Sequence, residues 1–244
     1  MQRKCKFLII PQLGALEESL ALAEEYGLGF EYNDFFIPDI MDDEKLADDI
    51  IRRYKAQKLP EYCTMHGAFF DVIIFSSDKK IRKISEERII RSLDIVREIG
   101  AKGVVFHTNL NPDLTSESYI KSWLDINESF WRMTLPKYPD LEIYMENMFD
   151  RTPDMLCGLA KRLEDITNFG VCFDYAHAAV YGSDIDGWVC EPHLMQSIYI
   201  LMIMTLKTIF ILQSVTERST GIISRLALKK SFFRQKRCLL KLHQ

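Results

Sequence analysis

The sequence predicts an α/β fold, a (β/α)8 barrel carried through about six of its eight strand–helix units. Three observations predict it. Short apolar runs alternate with longer segments of helical period. Most of those runs end on a histidine or a carboxylate. And 244 residues with 48% hydrophobic content suit one large barrel core.

The units can be followed in order. Lys6 to Ile10 reads as a first strand, and Leu16 to Tyr26 as a helix ended by Gly27. Leu28 to Tyr32 is a second strand, followed by a polar helix over Asp43 to Gln57 with Pro60 beyond it. Tyr62 to His66 is a third strand, and Ile81 to Ile99 an amphipathic helix stopped by Gly100. Gly103 to His107 is strand four, Ser116 to Leu135 its helix, and Leu141 to Glu146 strand five. Pro153 to Leu163 is helical again, and Phe169 to Asp174 is strand six. A doubly wound sheet would alternate in the same way. The barrel is preferred because Glu31, His66, His107, Glu146 and Asp174 all fall at carboxyl ends of strands, which in a barrel converge on one mouth.

Four segments carry the chemistry: CTMHGAFFD (63–71), VVFHTN (104–109), YMENMFD (144–150) and CFDYAH (172–177). They offer His66, His107, Glu146, Asp174 and His177 as metal ligands. Taken singly, a histidine at a strand end is an ordinary hydrogen-bonded loop residue. Here all three histidines up to His177 lie at or just beyond strand ends, together with two carboxylates. Mixed imidazole and carboxylate donors suit zinc, manganese, iron or cobalt better than calcium or magnesium alone. The expected cofactor is therefore a divalent metal (Zn, Mn, Co or Mg), with Glu146 able to bridge two ions. Glu31 and Asn33 are candidates for substrate binding or for bonding the barrel rim. Phe69, Phe70 and the run FFIPD (35–39) are candidates for a pocket wall or for packing.

In order and spacing, these residues resemble the xylose-isomerase-like TIM barrel superfamily. That superfamily includes sugar-phosphate isomerases and epimerases and the endonuclease-IV-type apurinic-site nucleases. The resemblance runs from about Phe7 to Trp188. DYAH (174–177) is similar to the family's D-x-x-H ligand pair, Glu146 to its strand-five glutamate, and His66 and His107 to histidines of the trinuclear zinc nucleases. The resemblance implies that Glu146 is both a ligand and an acid/base group, with a strand-eight glutamate as its counterpart. It also implies that Asp174 holds metal, while His177, His66 and His107 complete further metal positions or bind substrate oxygens. The implied activity is isomerisation or epimerisation of a sugar or sugar phosphate, with metal-dependent cleavage at abasic sites in DNA as the alternative.

The C-terminal part departs from that pattern. From Pro192 onward there are nine basic residues and one acid, Glu217, a charge of +8 that leaves −12 on residues 1–191. The chain thus divides into a partial barrel domain, 1–191, and an aberrant apolar and basic tail, 192–244. The family's H-x-H after strand six, the following D-x-H, the glycines and the last glutamate are missing. The run IYILMIMTLKTIFIL (198–212) has 15 residues and is short for a membrane span. Reading the tail one base out of frame supplies what is missing. Met202 followed by Ile203 must then give GAT, and Met204 followed by Thr205 GAC, both aspartate. One permitted choice of third bases reads HIHINDNDLKNDLHLAVGDG from Ser197 to Glu217, and LLKLH (239–243) permits an LEVT-like strand-eight reading. The tail is thus read as a frameshift product, with the shift between 185 and 196. No obvious strands are expected in it, so two sheet edges should stay open and the chain as written should fold poorly and be inactive.

Other expectations are plainer. Six scattered cysteines without a CxxC pair, and no secretory h-region, predict a reduced, cytoplasmic protein. The acidic body disfavours duplex nucleic acid as a partner and leaves a small sugar or sugar phosphate, with no membrane.

Overall fold

A computed structural model describes residues 6–182 and 187–188, together with the strands at 198–204 and 209–215. Six parallel strands follow the order of the chain: β1 (Lys6–Ile9), β2 (Gly29–Tyr32), β3 (Cys63–His66), β4 (Gly103–His107), β5 (Glu142–Glu146) and β6 (Phe169–Asp174). The helices between them are α1 (Leu16–Tyr26), α2 (Pro38–Met41), α3 (Glu44–Lys55), α4 (Lys79–Ile99), α5 (Glu117–Thr134) and α6 (Asp154–Arg162), with α7 (Tyr175–Tyr181) after β6. These units form an incomplete (β/α) barrel, a curled sheet that is not closed by its own six strands.

Local chemistry explains where the helices begin and end. Asp43, Asp78 and Ser116 cap α3, α4 and α5 by accepting backbone N–H groups of the first turn. Gly100 ends α4 in the left-handed region, at φ 81°, where a side chain would be strained. Pro38 opens α2, a short helix absent from the sequence reading, at the position where its missing N–H costs nothing. The other observed boundaries lie within about two residues of those expected.

The core lies between strands and helices and is rich in aromatics. Trp123, Trp131, Phe30, Phe35, Tyr32, Tyr54 and Phe106 are fully buried, and the rings of Phe106 and Trp131 lie 5.5 Å apart. Truncating one such side chain to alanine costs about 3–5 kcal/mol.

The tail corrects one expectation. β7 (Ile198–Met204) pairs parallel with β6, and β8 (Ile209–Val215) pairs antiparallel with both β7 and β1, so the ring of strands closes. The closure is a hairpin rather than two further β/α units. The physical reason is legible in hindsight: IYILMIM and IFILQSV are two seven-residue runs of strand-forming residues separated by a short polar break. The strands leave no open edge on β1 or β6. The basic stretch 225–237, the strand-eight glutamate reading at 239–243 and most of the segment assigned to the frameshift lie outside the described residues. Among the described residues no helix is long and apolar enough to cross a membrane.

Candidate metal centre

The parallel register brings the strand ends together. His107 pairs with Glu146 across β4 and β5, and Glu146 with Cys172 across β5 and β6, so Asp174 follows two residues further along β6. His66 ends β3 beside Val105, two residues before His107. Gly67 follows His66 where nothing larger fits, since a Cβ there would lie 2.2 Å from the Phe106 ring.

Two groups of potential ligands result, His66–His107–Glu146 and Glu146–Asp174–His177, and each keeps its ligand atoms within 4.8 Å of one another. Glu146 belongs to both. Its Oε2 lies 3.4 Å from His107 Nε2 and 3.9 Å from His66 Nε2, while its Oε1 lies 3.6 Å from His177 Nδ1. All five residues named from sequence are thus brought to one place.

The supporting contacts were not nominated from sequence. Asn147 clamps β5 to β6: its Oδ1 accepts from the Asp174 N–H at 2.8 Å and its Nδ2 donates to the Asp174 carbonyl at 2.9 Å. The Asn147 carbonyl accepts from His177 Nδ1 at 2.8 Å. Asp174 caps α7 through Oδ1, which accepts from the His177 N–H, and its buried Oδ2 has no hydrogen-bond partner. Asp150 is buried too. Its Oδ2 accepts from the Thr108 hydroxyl at 2.6 Å and from the Met148 N–H at 2.9 Å. Asn109, at φ 48°, donates to the carbonyls of Phe69 and Val72 and so holds the loop that sets the Phe69 ring 5.1 Å from His66 and 4.6 Å from His107. Asn109, Asn147 and Asp150 all stand in or beside the segments that flagged the site. Only their polar character in an otherwise apolar context could have singled them out.

The aromatic candidates divide. Phe36 and Phe69 stack on each other beside His66. Phe35 is core, and Phe70 is about half exposed. Glu31 lies inside the barrel rather than on its rim: it is 1% exposed and accepts from the Thr64 hydroxyl at 3.2 Å. Its register partner is Thr64, two residues before His66, so it sits deeper than the histidines. The buried Asn33 Oδ1 has no partner.

Electrostatics argue for a cation. Burial, then the neighbouring Asp174, holds the Glu146 carboxyl well above the usual carboxylate range. Glu31 is pushed up to about 8 by burial first and then by Glu146, against the lowering effect of Thr64. Burial pushes both His66 and His107 down to about 3, so their imidazoles are neutral at physiological pH. Asp150 rises to about 6, mainly through burial. Neutral imidazoles facing desolvated carboxyls, with an orphaned Asp174 oxygen among them, make a donor set that fits one or two divalent ions.

A family model described as "Xylose isomerase-like TIM barrel" matches residues 20–213. An uncharacterized protein of Methanocaldococcus jannaschii, MJ1311, is 29% identical over 127 residues, which are 49% of this chain and 43% of that protein. The chain therefore matches less than half the length of this curated relative. Among solved structures, the TTHB071 protein of Thermus thermophilus, from a crystal soaked with ZnCl2, is 24% identical with a TM-score of 0.58, covering 75% of this chain and 72% of that one. A D-tagatose 3-epimerase-like protein is 22% identical with a TM-score of 0.54, covering 75% and 69%. At these identities the solved structures establish the shared fold alone.

Proposed function

Because the chain belongs to the xylose isomerase-like TIM barrel family, we propose that its strand-end cluster serves a metal-dependent isomerase or epimerase acting on a sugar or sugar phosphate. The observation that carries this reading is the single glutamate, Glu146, shared by two potential ligand triads at the mouth of the barrel. Once bound, a divalent ion would supply polarisation of a substrate carbonyl or hydroxyl oxygen.

The chain's own residues would do the rest. His66, His107, Asp174 and His177 hold the cation, and Asn147 fixes where Asp174 and His177 stand. Glu146, the ligand common to both triads, would also be the group that moves a proton at a substrate carbon, as the family resemblance implies. Glu31 and Asn33 are assigned to substrate hydroxyls, and Phe36 and Phe69 offer an apolar wall for a sugar face. A reducing cytoplasmic setting belongs to the same proposal and is supported by the buried free thiols of Cys63, Cys157 and Cys172.

The histidine pair of the first triad favours a second reading, a metal-dependent phosphodiesterase acting at abasic sites. The −12 charge on residues 1–191 weighs against it.

In both readings the catalysing form is the chain with its tail read in the other frame, residues 1–191 forming the partial barrel domain. The chain as written is expected to bind metal without turnover. One experiment tests this. The coding DNA across codons 185–200 is read, and both the written and the frame-restored chains are assayed with Mn2+, Co2+ and Zn2+ on a panel of ketoses and their phosphates and on an abasic oligonucleotide. Epimerisation or isomerisation by the restored chain alone is the expected result. Cleavage of the oligonucleotide without sugar turnover selects the second reading. DNA that cannot yield the HIHIND motif in any frame refutes the frameshift.

A further inference from the structure

Two buried polar residues beside the cluster, Thr108 and Asp150, have no part in the proposed chemistry. A buried carboxyl is costly unless it is hydrogen-bonded, and this one is bonded across two strands. Asp150 Oδ2 accepts from the Thr108 hydroxyl at 2.6 Å and from the Met148 N–H at 2.9 Å, while its Oδ1 has no partner. The Thr108 hydroxyl is thus the link from Asp150 to β4. Thr108 itself is firmly placed. It follows His107, its N–H donates to the Glu146 carbonyl at 3.0 Å, and its carbonyl accepts from Trp123 Nε1 at 3.2 Å. The ladder between β4 and β5 ends at the pair His107 and Glu146, so the Thr108–Asp150 bond carries the tie between the two strands beyond their last pairing. What it holds is the segment 147–150. Asn147 at the start of that segment bonds both backbone groups of Asp174, at 2.8 and 2.9 Å, and its carbonyl meets His177 Nδ1 at 2.8 Å.

We propose that Asp150 is a positioning residue for the second triad. By clasping Thr108 it fixes the segment 147–150, and through Asn147 it sets the places of Asp174 and His177. Its hydrogen bonds go to Thr108 and Met148 rather than to a ligand, so it acts at one remove. The effect is directional. Asp174 and His177 stand on β6 and α7, and Asn147 is bonded to both. His66, on β3, takes its support from elsewhere, since its Nδ1 meets the Gly67 carbonyl at 3.0 Å. Loosening the clasp therefore weakens the Glu146–Asp174–His177 group and leaves the three donors in place as residues. This role rests on the metal reading of the cluster.

The test measures the zinc affinity of the full chain by competition with a chromophoric chelator. Thr108→Val keeps the side-chain shape and removes the donor to Asp150, and its affinity should fall on the order of tenfold. Thr108→Ser keeps the hydroxyl and should restore most of that loss. In a His177→Ala background, where the second triad is already broken, Thr108→Val should cost little more, because changes that act through one contact are not additive. An unchanged affinity in Thr108→Val overturns the proposal, as does a Thr108→Ser variant that is no better. An equal fall in both backgrounds also overturns it, since that marks a general loosening of the fold. Should Thr108→Val not fold, a crystal structure of the zinc-loaded native chain decides: the Thr108–Asp150 and Asn147–His177 contacts should both persist, and zinc held by His177 with either contact broken is the contrary outcome. A native chain that takes up no zinc defeats the proposed function and this role with it, whereas native uptake with indifferent variants defeats the positioning role alone.

Discussion

The Nε2 atoms of His66 and His107 face each other at 3.2 Å from the ends of neighbouring parallel strands. Two neutral imidazoles at that separation can share one proton or one cation, but two bare lone pairs would repel. Burial keeps both rings neutral far below physiological pH. The pair is therefore poised between a hydrogen bond and a shared metal ion, and Glu146 stands beside both rings.

Metal uptake should release protons. The Glu146 carboxyl is held well above its ordinary range by burial and by Asp174, so when no cation is bound it keeps its proton to higher pH than a free carboxyl does. Zinc binding at pH 6 should expel about one proton per chain, seen as a dependence of calorimetric heat on the ionisation enthalpy of the buffer. Heats that do not depend on the buffer would show that the carboxyl is already ionised.

The shared ligand should be worth more than any other. Glu146→Gln removes a donor from both triads, whereas His66→Ala or Asp174→Asn each spares the other triad. Metal content by mass spectrometry should fall to background in the first variant and only in part in the other two. Without metal, Glu146→Gln should stabilise the fold by on the order of 1 kcal/mol, because it removes a desolvated acid beside Asp174. A lower melting temperature than the metal-free parent would contradict this.

Glu31 should set a pH slope. Its carboxyl rises from 4.5 to about 8 on folding. A raised pKa means that its contribution to stability is complete below 4.5 and is lost as pH rises through 8. The metal-free chain should therefore lose stability on going from pH 5 to 8.5, and Glu31→Gln should flatten that loss. The histidines act in the opposite sense. Their depressed pKa values contribute stability above 6.5 that is lost as pH falls towards 3. Denaturant midpoints of the two chains across this range separate the two contributions, and parallel pH profiles would exclude Glu31 as a cause.

The hairpin should protect the sheet. β8 covers the edge of β1, and β7 that of β6. Ending the chain at residue 196 would expose two apolar parallel edges, and light scattering should then report oligomers where the full chain gives a smaller species. A monodisperse truncated chain would mean that the six-strand sheet shields itself.

The sequence alone determined the six strand–helix units and the residues at their ends, because strand and helix periods, caps and the glycine after α4 are local signals. It placed His66, His107, Glu146, Asp174 and His177 at one mouth without showing which of them meet. Only the tertiary structure decided that Glu146 belongs to both triads, that Asn147 ties β5 to β6, and that Glu31 lies beneath the site rather than on the rim. Those relations depend on strand register and on the curl of the sheet, which join residues dozens of positions apart. The hairpin over 198–215 shows the same division. Its apolar runs were visible as residues, but their pairing with β1 and β6 is a non-local choice, settled by the two edges that an incomplete barrel must cover.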